Sequence, residues 1–256
     1  MFDRVVGRLR AAGCVFAEEE ARLLIEAAPA APRLDALVAR RVAGEPLEHV
    51  LGWAGFRGLR LAVEPGVFVP RRRTEFLADQ AIRLAAPGAV VLDLCCGSGA
   101  IGAALAAALT PALGAVELHA ADIDPAAVRC ARRNLPGGRV YAGDLYDPLP
   151  PSLRGRVTVL VANVPYVPTG AIGLLPADAR EHEPPVALDG GADGLDVLRR
   201  VAAGAPAWLA PGGHLLIETS DRQAPAALDV FSRAGLIPGR ADSDGTAVVI
   251  GTRPDR

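Results

Sequence analysis

The sequence predicts an α/β fold with a mostly parallel β-sheet, preceded by a small helical segment. Short apolar runs alternate with helical stretches, which is typical of folds in which each strand is followed by a crossover helix. Several of these runs are followed by a polar residue and a turn, as at the carboxyl edge of such a sheet. The strand candidates are 89–94, 116–121, 139–142, 157–162, 213–218 and 246–250. The intervening helical stretches are 100–109, 125–134, 194–208 and 223–234.

Length and composition limit the classes of protein that need to be considered. With 256 residues, of which 51% are hydrophobic, the chain can form one sizeable α/β domain and a small appendage. The formal net charge of −2 gives no basic surface of the kind that binds duplex nucleic acid, so no direct duplex contact is expected.

The cysteines and the first ten residues indicate the cellular location of the protein and whether it binds a metal. The four cysteines (Cys14, Cys95, Cys96 and Cys130) show no metal-binding spacing, so no metal site is expected. Unpaired thiols suit a reducing compartment. Residues 1–10 lack the apolar core of a signal peptide, and no apolar run is long enough to span a membrane. We therefore expect a cytoplasmic protein that does not bind membranes.

The chain divides into three segments. Residues 1–44 have apolar residues at helical spacing and predict three short helices, a small domain that we expect to contribute to substrate recognition. Residues 45–73 alternate aromatic and glycine residues and predict a β-hairpin connector. Residues 74–256 contain the α/β domain.

The first chemical signal is the glycine-rich turn after the strand at 89–94. Asp93 lies near the end of this strand, and Gly97 and Gly99 precede a helix. Glycines allow a ligand to approach the backbone closely, and the helix N-terminus favours an anion such as a carboxylate. The pattern is also compatible with a dinucleotide-binding turn or with a tight strand–helix loop that binds nothing.

Two more acids follow the next strands. Asp122 closes the second strand and is placed to accept hydrogen bonds from ribose hydroxyls, although a nicotinamide enzyme has its ribose acid in a similar position. Asp144 follows the third strand and suits an adenine amino group, with Leu145 against the ring. The alternative for Asp144 is a turn cap before Asp147.

The decisive signal is the segment Asn163-Val164-Pro165-Tyr166 at the end of the fourth strand, which is close to the Asn-Pro-Pro-Tyr motif of methyltransferases that act on planar nitrogens. An amide nitrogen is a poor nucleophile because its lone pair is delocalised. The Asn163 side-chain oxygen and the backbone carbonyl of Val164 can each accept one N–H bond and so orient the nitrogen. Tyr166 can stack on the planar group. The alternative is a proline-rich turn without a catalytic role.

The segment 163–193 is a long irregular insertion. Loops of this length in a compact domain are usually functional or disordered. With Gly190, Gly191 and Gly194 as hinges, we expect it to close over the acceptor and exclude water.

Residues from about 45 to 250 resemble the release factor glutamine methyltransferase family (HemK/PrmC-type). The matching blocks are Gly44–Gly52, Pro65–Glu75, Asp93–Gly99, Asp122, Asp144, Asn163–Tyr166 and Glu183–Leu195. The resemblance implies a Rossmann-like methyltransferase fold, S-adenosylmethionine as the methyl donor and a glutamine amide of a protein, such as a peptide chain release factor, as the acceptor. It also implies that Arg71, Thr74 and Asn163 belong to the cofactor site, with Asp93, Gly97, Gly99, Asp122, Asp144 and Leu145.

The chain departs from the family pattern at three places. Val164 replaces the first proline of the catalytic motif, which keeps the carbonyl but loses the fixed φ of proline. Arg72 and Arg73 replace the proline and glutamate of the block Pro-Arg-Pro-Glu-Thr-Glu, which exchanges a negative charge for positive ones. The helical N-terminal segment is shorter than the family's recognition domain.

Three other functions stay open at this point. The first is methylation of another planar nitrogen, such as an adenine amino group or a small-molecule amide. The second is a cofactor-binding module without catalysis that acts through its helical segment. The third, a nicotinamide dehydrogenase, is disfavoured because no proton donor for a hydride site lies near the motifs.

Overall fold

The computed structural model describes residues 1–243 and 245–255. Its N-terminal helices are α1 (Phe2–Ala11), α2 (Ala17–Ala27), α3 (Ala31–Val42) and α4 (Leu47–Leu51). Their apolar faces form a separate core that extends from Val5 to Val50. Three of these helices agree with the prediction, whereas α4 lies within the stretch assigned to the connector and adds Val50 to the same core.

The connector contains the predicted β-hairpin, formed by β1 (Trp53–Phe56) and β2 (Leu59–Ala62). Phe56 pairs with Leu59, which leaves a two-residue turn at Arg57 and Gly58. Both turn residues have positive φ, 45° and 76°, which is the conformation that the commonest two-residue hairpin turns require.

The α/β domain is built on a seven-stranded sheet in the order β5-β4-β3-β6-β7-β9-β8. The first five of these strands are parallel, and β9 and β8 are antiparallel additions at one edge. The strands are β3 (Val90–Leu94), β4 (Glu117–Asp122), β5 (Arg139–Ala142), β6 (Val157–Ala162), β7 (Leu209–Ser220), β8 (Ile237–Ser243) and β9 (Thr246–Thr252). The predicted, mostly parallel sheet is confirmed.

Six more α-helices surround the sheet and its loops in the described part of the chain. They are α5 (Glu75–Leu84), α6 (Ala100–Leu113), α7 (Pro125–Asn134), α8 (Ala177–His182), α9 (Asp196–Trp208) and α10 (Ala224–Arg233). Two apolar cores lie on the two faces of the sheet, one centred on Leu92 and Leu160, the other on Val91 and Val159. None of the described helices is long and apolar enough to cross a membrane.

The strand order reverses its direction at β3. From β3 the chain proceeds to β4 and β5 on one side, and then returns to place β6 and β7 on the other side. Ligands of open α/β sheets bind beyond the carboxyl ends of the strands at such a switch point. The fold therefore brings the ends of β3, β4 and β6, with their predicted site residues, to one edge.

Candidate active site

A cavity of about 620 Å³ lies at this edge of the sheet. It is lined by residues from the turn after β3, the ends of β4 and β6, the connector and the insertion. The predicted site residues on its wall are Arg71, Thr74, Gly97, Asp122, Asp144, Leu145, Asn163, Val164, Pro165 and Tyr166. Asp93 and Gly99, also predicted to bind the cofactor, are not among the lining residues.

Asp122 supports the glycine turn from the neighbouring strand. Its Oδ2 accepts a hydrogen bond from the Gly97 backbone N–H at 2.8 Å, and its Oδ1 accepts one from the Asp124 N–H at 2.9 Å. Burial raises the pKa of Asp122, and these two N–H donors act in the opposite direction. The carboxylate thus lies on the cavity wall with its position fixed by two backbone contacts.

Asp93 lies beneath the turn and not on the cavity wall. Its side chain is fully buried, and Oδ2 accepts a hydrogen bond from the Gly102 N–H at 2.9 Å. Burial raises the pKa of Asp93 to about 7. Asp93 therefore supports the first turn of α6 in this structure, and its predicted place in the cofactor site, beneath the glycine turn, stays a prediction.

Gly99 packs against α7, and its predicted place in the cofactor site stays a prediction. It has a φ of +79°, and a Cβ there would lie 3.1 Å from Leu135 Cδ1 and 3.2 Å from Ala131 Cα. Helix α7 therefore requires the glycine for close packing. By contrast, a Cβ at Gly97 would meet no atom within 4 Å, so at Gly97 the backbone is open to a ligand.

Asp144 and Leu145 lie on the cavity wall, and Asp144 already has a partner. Arg200 Nη2 of α9 donates to Asp144 Oδ2 at 2.6 Å. Leu145 is buried and adopts a positive φ of 47°. The sequence analysis missed Arg200, because α9 begins more than 50 residues after Asp144 and no motif marks the pair.

Asn163 and Val164 follow β6 directly. The strand ends at Ala162, so Asn163 stands at the carboxyl edge of the sheet, where it is partly exposed and lines the cavity. Val164 is 2% exposed, and its apolar side chain belongs to the core on that face of the sheet. The side chain of Val164 therefore packs inward.

Tyr166 is fixed at both ends by residues that are distant in sequence. Gln223 Nε2 donates to the Tyr166 backbone oxygen at 2.9 Å, and the Arg73 guanidinium donates to the Tyr166 hydroxyl. Burial raises the pKa of Tyr166, and Arg73 acts in the opposite direction. Gln223 was missed in the sequence analysis, since a glutamine at a helix start has no recognisable signal.

Arg71 joins the connector to the insertion. Its Nη2 lies 2.7 Å from both carboxylate oxygens of Glu183, and Glu183 Oε1 also accepts the Val69 N–H at 3.0 Å. Burial raises the pKa of Glu183, whereas Arg71 lowers it. With this pairing, the Arg71 charge is neutralised within the protein while its side chain still lines the cavity.

Thr74 lies between the cavity and the buried Glu218. It is 3% exposed and lines the cavity, and its hydroxyl has the Glu218 carboxyl as its polar neighbour. The feature of this wall that fits a closely approaching ligand is therefore the open backbone at Gly97.

The glycines of the insertion pack closely against the segment that follows β6. A Cβ at Gly190 would lie 2.7 Å from the Pro165 carbonyl oxygen, and one at Gly194 would lie 2.2 Å from that of Tyr166. The Gly190 N–H donates to Val167 O at 2.8 Å. Residues 190–194 therefore hold residues 165–167 in place in this structure, and closure of the insertion over the acceptor stays a prediction.

In the described part of the chain, no cluster of three or more His, Cys, Asp or Glu side chains is placed to hold a metal ion. Cys95 and Cys96 adjoin the turn, and burial raises the pKa of both thiols. The ionised form that binds metals is therefore disfavoured at both positions.

Comparison with known proteins gives two kinds of similarity. A family profile described as ribosomal protein L11 methyltransferase (PrmA) matches residues 77–166. The structure of a methyltransferase from Pyrococcus furiosus has a TM-score of 0.58 at 16% sequence identity, covering 84% of this chain and 97% of that one. At that identity the similarity concerns the fold, and it confirms the predicted Rossmann-like methyltransferase fold.

Sequence relatives cover most of the chain. A protein from Geobacter sulfurreducens named release factor glutamine methyltransferase is 40% identical over 223 residues, which are 85% of this chain and 76% of the relative. Several other relatives have the same name. A protein from Streptomyces pristinaespiralis named 4-amino-L-phenylalanine/4-methylamino-L-phenylalanine methyltransferase is 37% identical over 218 residues, covering 82% of this chain and 73% of the relative.

Proposed function

Because this chain belongs to the release factor glutamine methyltransferase family, we propose that it transfers a methyl group from S-adenosylmethionine to the side-chain amide nitrogen of a glutamine in a protein of the release factor kind. The observation that supports this most strongly is that Asn163 and Tyr166 line the same cavity as Asp122 and the glycine turn. The residues proposed to orient the acceptor and those proposed to bind the cofactor thus line the same cavity.

The cofactor residues follow from the cavity wall. Asp122 would accept hydrogen bonds from the ribose hydroxyls, Asp144 and Leu145 would contact the adenine, and the open backbone at Gly97 would allow close approach. Arg71 and Thr74 line the same cavity and would contribute to the cofactor site. When bound, S-adenosylmethionine supplies an electrophilic methyl group on a sulfonium ion.

The protein's contribution to the reaction is orientation. The Asn163 side-chain oxygen and the Val164 carbonyl each accept one N–H of the acceptor amide, which aims the nitrogen lone pair out of the amide plane. As the nitrogen gains the methyl group, positive charge develops on it, and both oxygens, already in place before the reaction, stabilise this charge. Loss of one N–H proton to solvent would give the neutral N-methylamide, and the donor would be left as a neutral thioether. The Tyr166 ring packs on the planar group and limits its rotation.

The acceptor is proposed to be a protein, and the N-terminal helical domain is proposed to help to recognise it. The domain has its own core and lies ahead of the hairpin that leads to the cavity. The net charge of −2 supports a protein acceptor over duplex nucleic acid. A cytoplasmic location is part of the same proposal, supported by the four free cysteines in the described chain.

The test is methyl transfer from isotope-labelled S-adenosylmethionine, followed by mass spectrometry that locates the label. Bacterial release factors are the expected acceptors, and 4-amino-L-phenylalanine is the comparison, because one relative is named for that amine. Label on a glutamine amide supports the proposal. Label on the free amine alone would overturn the proposal that the acceptor is a protein. The absence of label on both acceptors would favour a cofactor-binding module without catalysis.

A further inference from the structure

Three side chains that are distant in sequence meet beside the catalytic segment. Arg73 Nε donates to Glu218 Oε1 at 3.2 Å, and Arg73 Nη2 donates to the Tyr166 hydroxyl. The Glu218 side chain is 2% exposed, whereas that of Arg73 is 52% exposed. The guanidinium thus links a carboxyl group buried in the sheet to a phenol on the cavity wall.

Arg73 controls the free end of the Tyr166 side chain. Gln223 fixes the Tyr166 backbone oxygen, and so determines where the side chain begins. The guanidinium carbon of Arg73 lies 5.8 Å from the ring centroid and holds the hydroxyl, and so determines where the side chain ends. The orientation of the ring therefore depends on the guanidinium.

Arg73 is one of two groups that favour the ionised form of Glu218. Burial raises the pKa of Glu218, whereas the hydrogen bond from Thr74 and the charge of Arg73 act in the opposite direction. A carboxylate at position 73 would instead face Glu218 as a like charge. A planar guanidinium donates in two directions at once, so it can hold Glu218 and Tyr166 together.

We propose that Arg73 is a positioning residue for methyl transfer: anchored on Glu218, it holds the Tyr166 ring in the orientation that packs against the planar acceptor group. This inference rests on the function proposed above, because it acts through the acceptor-contacting role of Tyr166. A ring that is free to rotate would leave the acceptor nitrogen less well aimed, which lowers turnover more than it weakens cofactor binding.

The first test needs no acceptor. The chain has three tyrosines, so 3-fluorotyrosine labelling gives three fluorine resonances, and Tyr166→Phe identifies the one from Tyr166. Arg73→Ala should shift that resonance and leave the other two in place. Arg72→Ala is the matched control, because it removes the same charge from the adjacent exposed position, which does not line the cavity. An unchanged Tyr166 resonance in Arg73→Ala would overturn the proposal.

The second test is a double-mutant cycle on methyl transfer. Arg73→Ala should lower kcat about tenfold through misplacement of the acceptor, with the Kd for S-adenosylmethionine within about twofold of wild type, because Arg73 acts on the acceptor side. In the Tyr166→Phe background the same change should cost less than about twofold, since the hydroxyl through which Arg73 acts is absent. An equal loss in both backgrounds would overturn the positioning role.

A conservative variant keeps the cycle decisive if Arg73→Ala does not fold. Arg73→Lys retains the charge but has one compact ammonium group in place of the guanidinium fork, so it cannot hold both partners in the same geometry. Arg73→Lys should lower kcat less than Arg73→Ala does, and this loss should again become smaller in the Tyr166→Phe background. If the wild-type protein methylates no acceptor, the proposed function fails, whereas the fluorine measurement still decides whether Arg73 holds Tyr166.

Discussion

The backbone N–H of Gly97 donates a 2.8 Å hydrogen bond to the carboxylate of Asp122. This contact joins the turn after β3 to the end of β4 and places an acid at the cavity wall beside an open backbone. The same carboxylate therefore supports the turn and is the group that we propose to bind the ribose, so a change at Asp122 should weaken cofactor binding in both ways.

Substitution of Asp122 should weaken the binding of S-adenosylmethionine. Asp122→Ala removes both the support for the Gly97 N–H and the proposed ribose acceptor, and we expect a loss of affinity of about tenfold or more. Asp122→Asn retains one acceptor oxygen and should lose less. Calorimetric titration measures both, and an unchanged Kd for Asp122→Ala would refute the ribose assignment.

The two glycines of the turn should respond differently to alanine. At Gly99 a Cβ would press on Leu135 and Ala131 in a left-handed conformation, so Gly99→Ala should lower the free energy of unfolding by about 2–4 kcal/mol. At Gly97 only the conformational cost of about 1 kcal/mol applies, because the space is open. Denaturant unfolding of both variants tests this, and equal losses would contradict the packing role of Gly99.

Asp93 should make stability depend on pH. Burial raises its pKa from 3.8 to about 7, so the folded state holds a proton that the unfolded state has lost between these values. Stability should therefore fall as pH rises from about 4 to 7, by up to roughly 1.4 kcal/mol per pH unit from this group. Asp93→Asn, which keeps an acceptor for the Gly102 N–H, should flatten that slope in urea unfolding. The same slope in both proteins would exclude Asp93 as its source.

The parallel sheet could be predicted because its strands are continuous apolar runs, buried on both faces. Strand β8 was missed for the opposite reason. Ile237–Ser243 is an edge strand whose residues are almost all exposed, and it contains Pro238 and Gly239, so it has no apolar alternation. The short helices α4 and α8 have too few turns to show a helical period.

The segment Asn163–Tyr166 could be singled out from the sequence because its residues are adjacent. The support around it could not, since Tyr166 depends on Arg73 and Gln223, which come from other parts of the chain. Asp93 and Gly99 show a second limit. Their residue types fit a ligand site, but the Asp93 side chain is directed to the first turn of α6, and the Gly99 backbone packs against α7.

The N-terminal domain should be dispensable for cofactor binding but not for a protein acceptor. Because Val50 belongs to its core, the appropriate deletion is 1–51 and not 1–44. This deletion also removes His49, whose Nε2 lies 2.8 Å from Val67 O, so thermal unfolding should accompany the assay. We expect an unchanged Kd for S-adenosylmethionine and a lower kcat/KM on a release factor. Full activity after deletion would place acceptor recognition elsewhere.

The most direct test of the proposed reaction is the rate of methyl transfer by Asn163→Ala at saturating S-adenosylmethionine, with a release factor as acceptor. Removal of one oxygen that orients the amide should lower kcat by about 10²–10³, with little change in the Kd for the cofactor. Val164→Pro is the matched control, since it keeps the carbonyl and lies outside β6, so it should retain activity. Normal turnover by Asn163→Ala would contradict the amide-orienting mechanism.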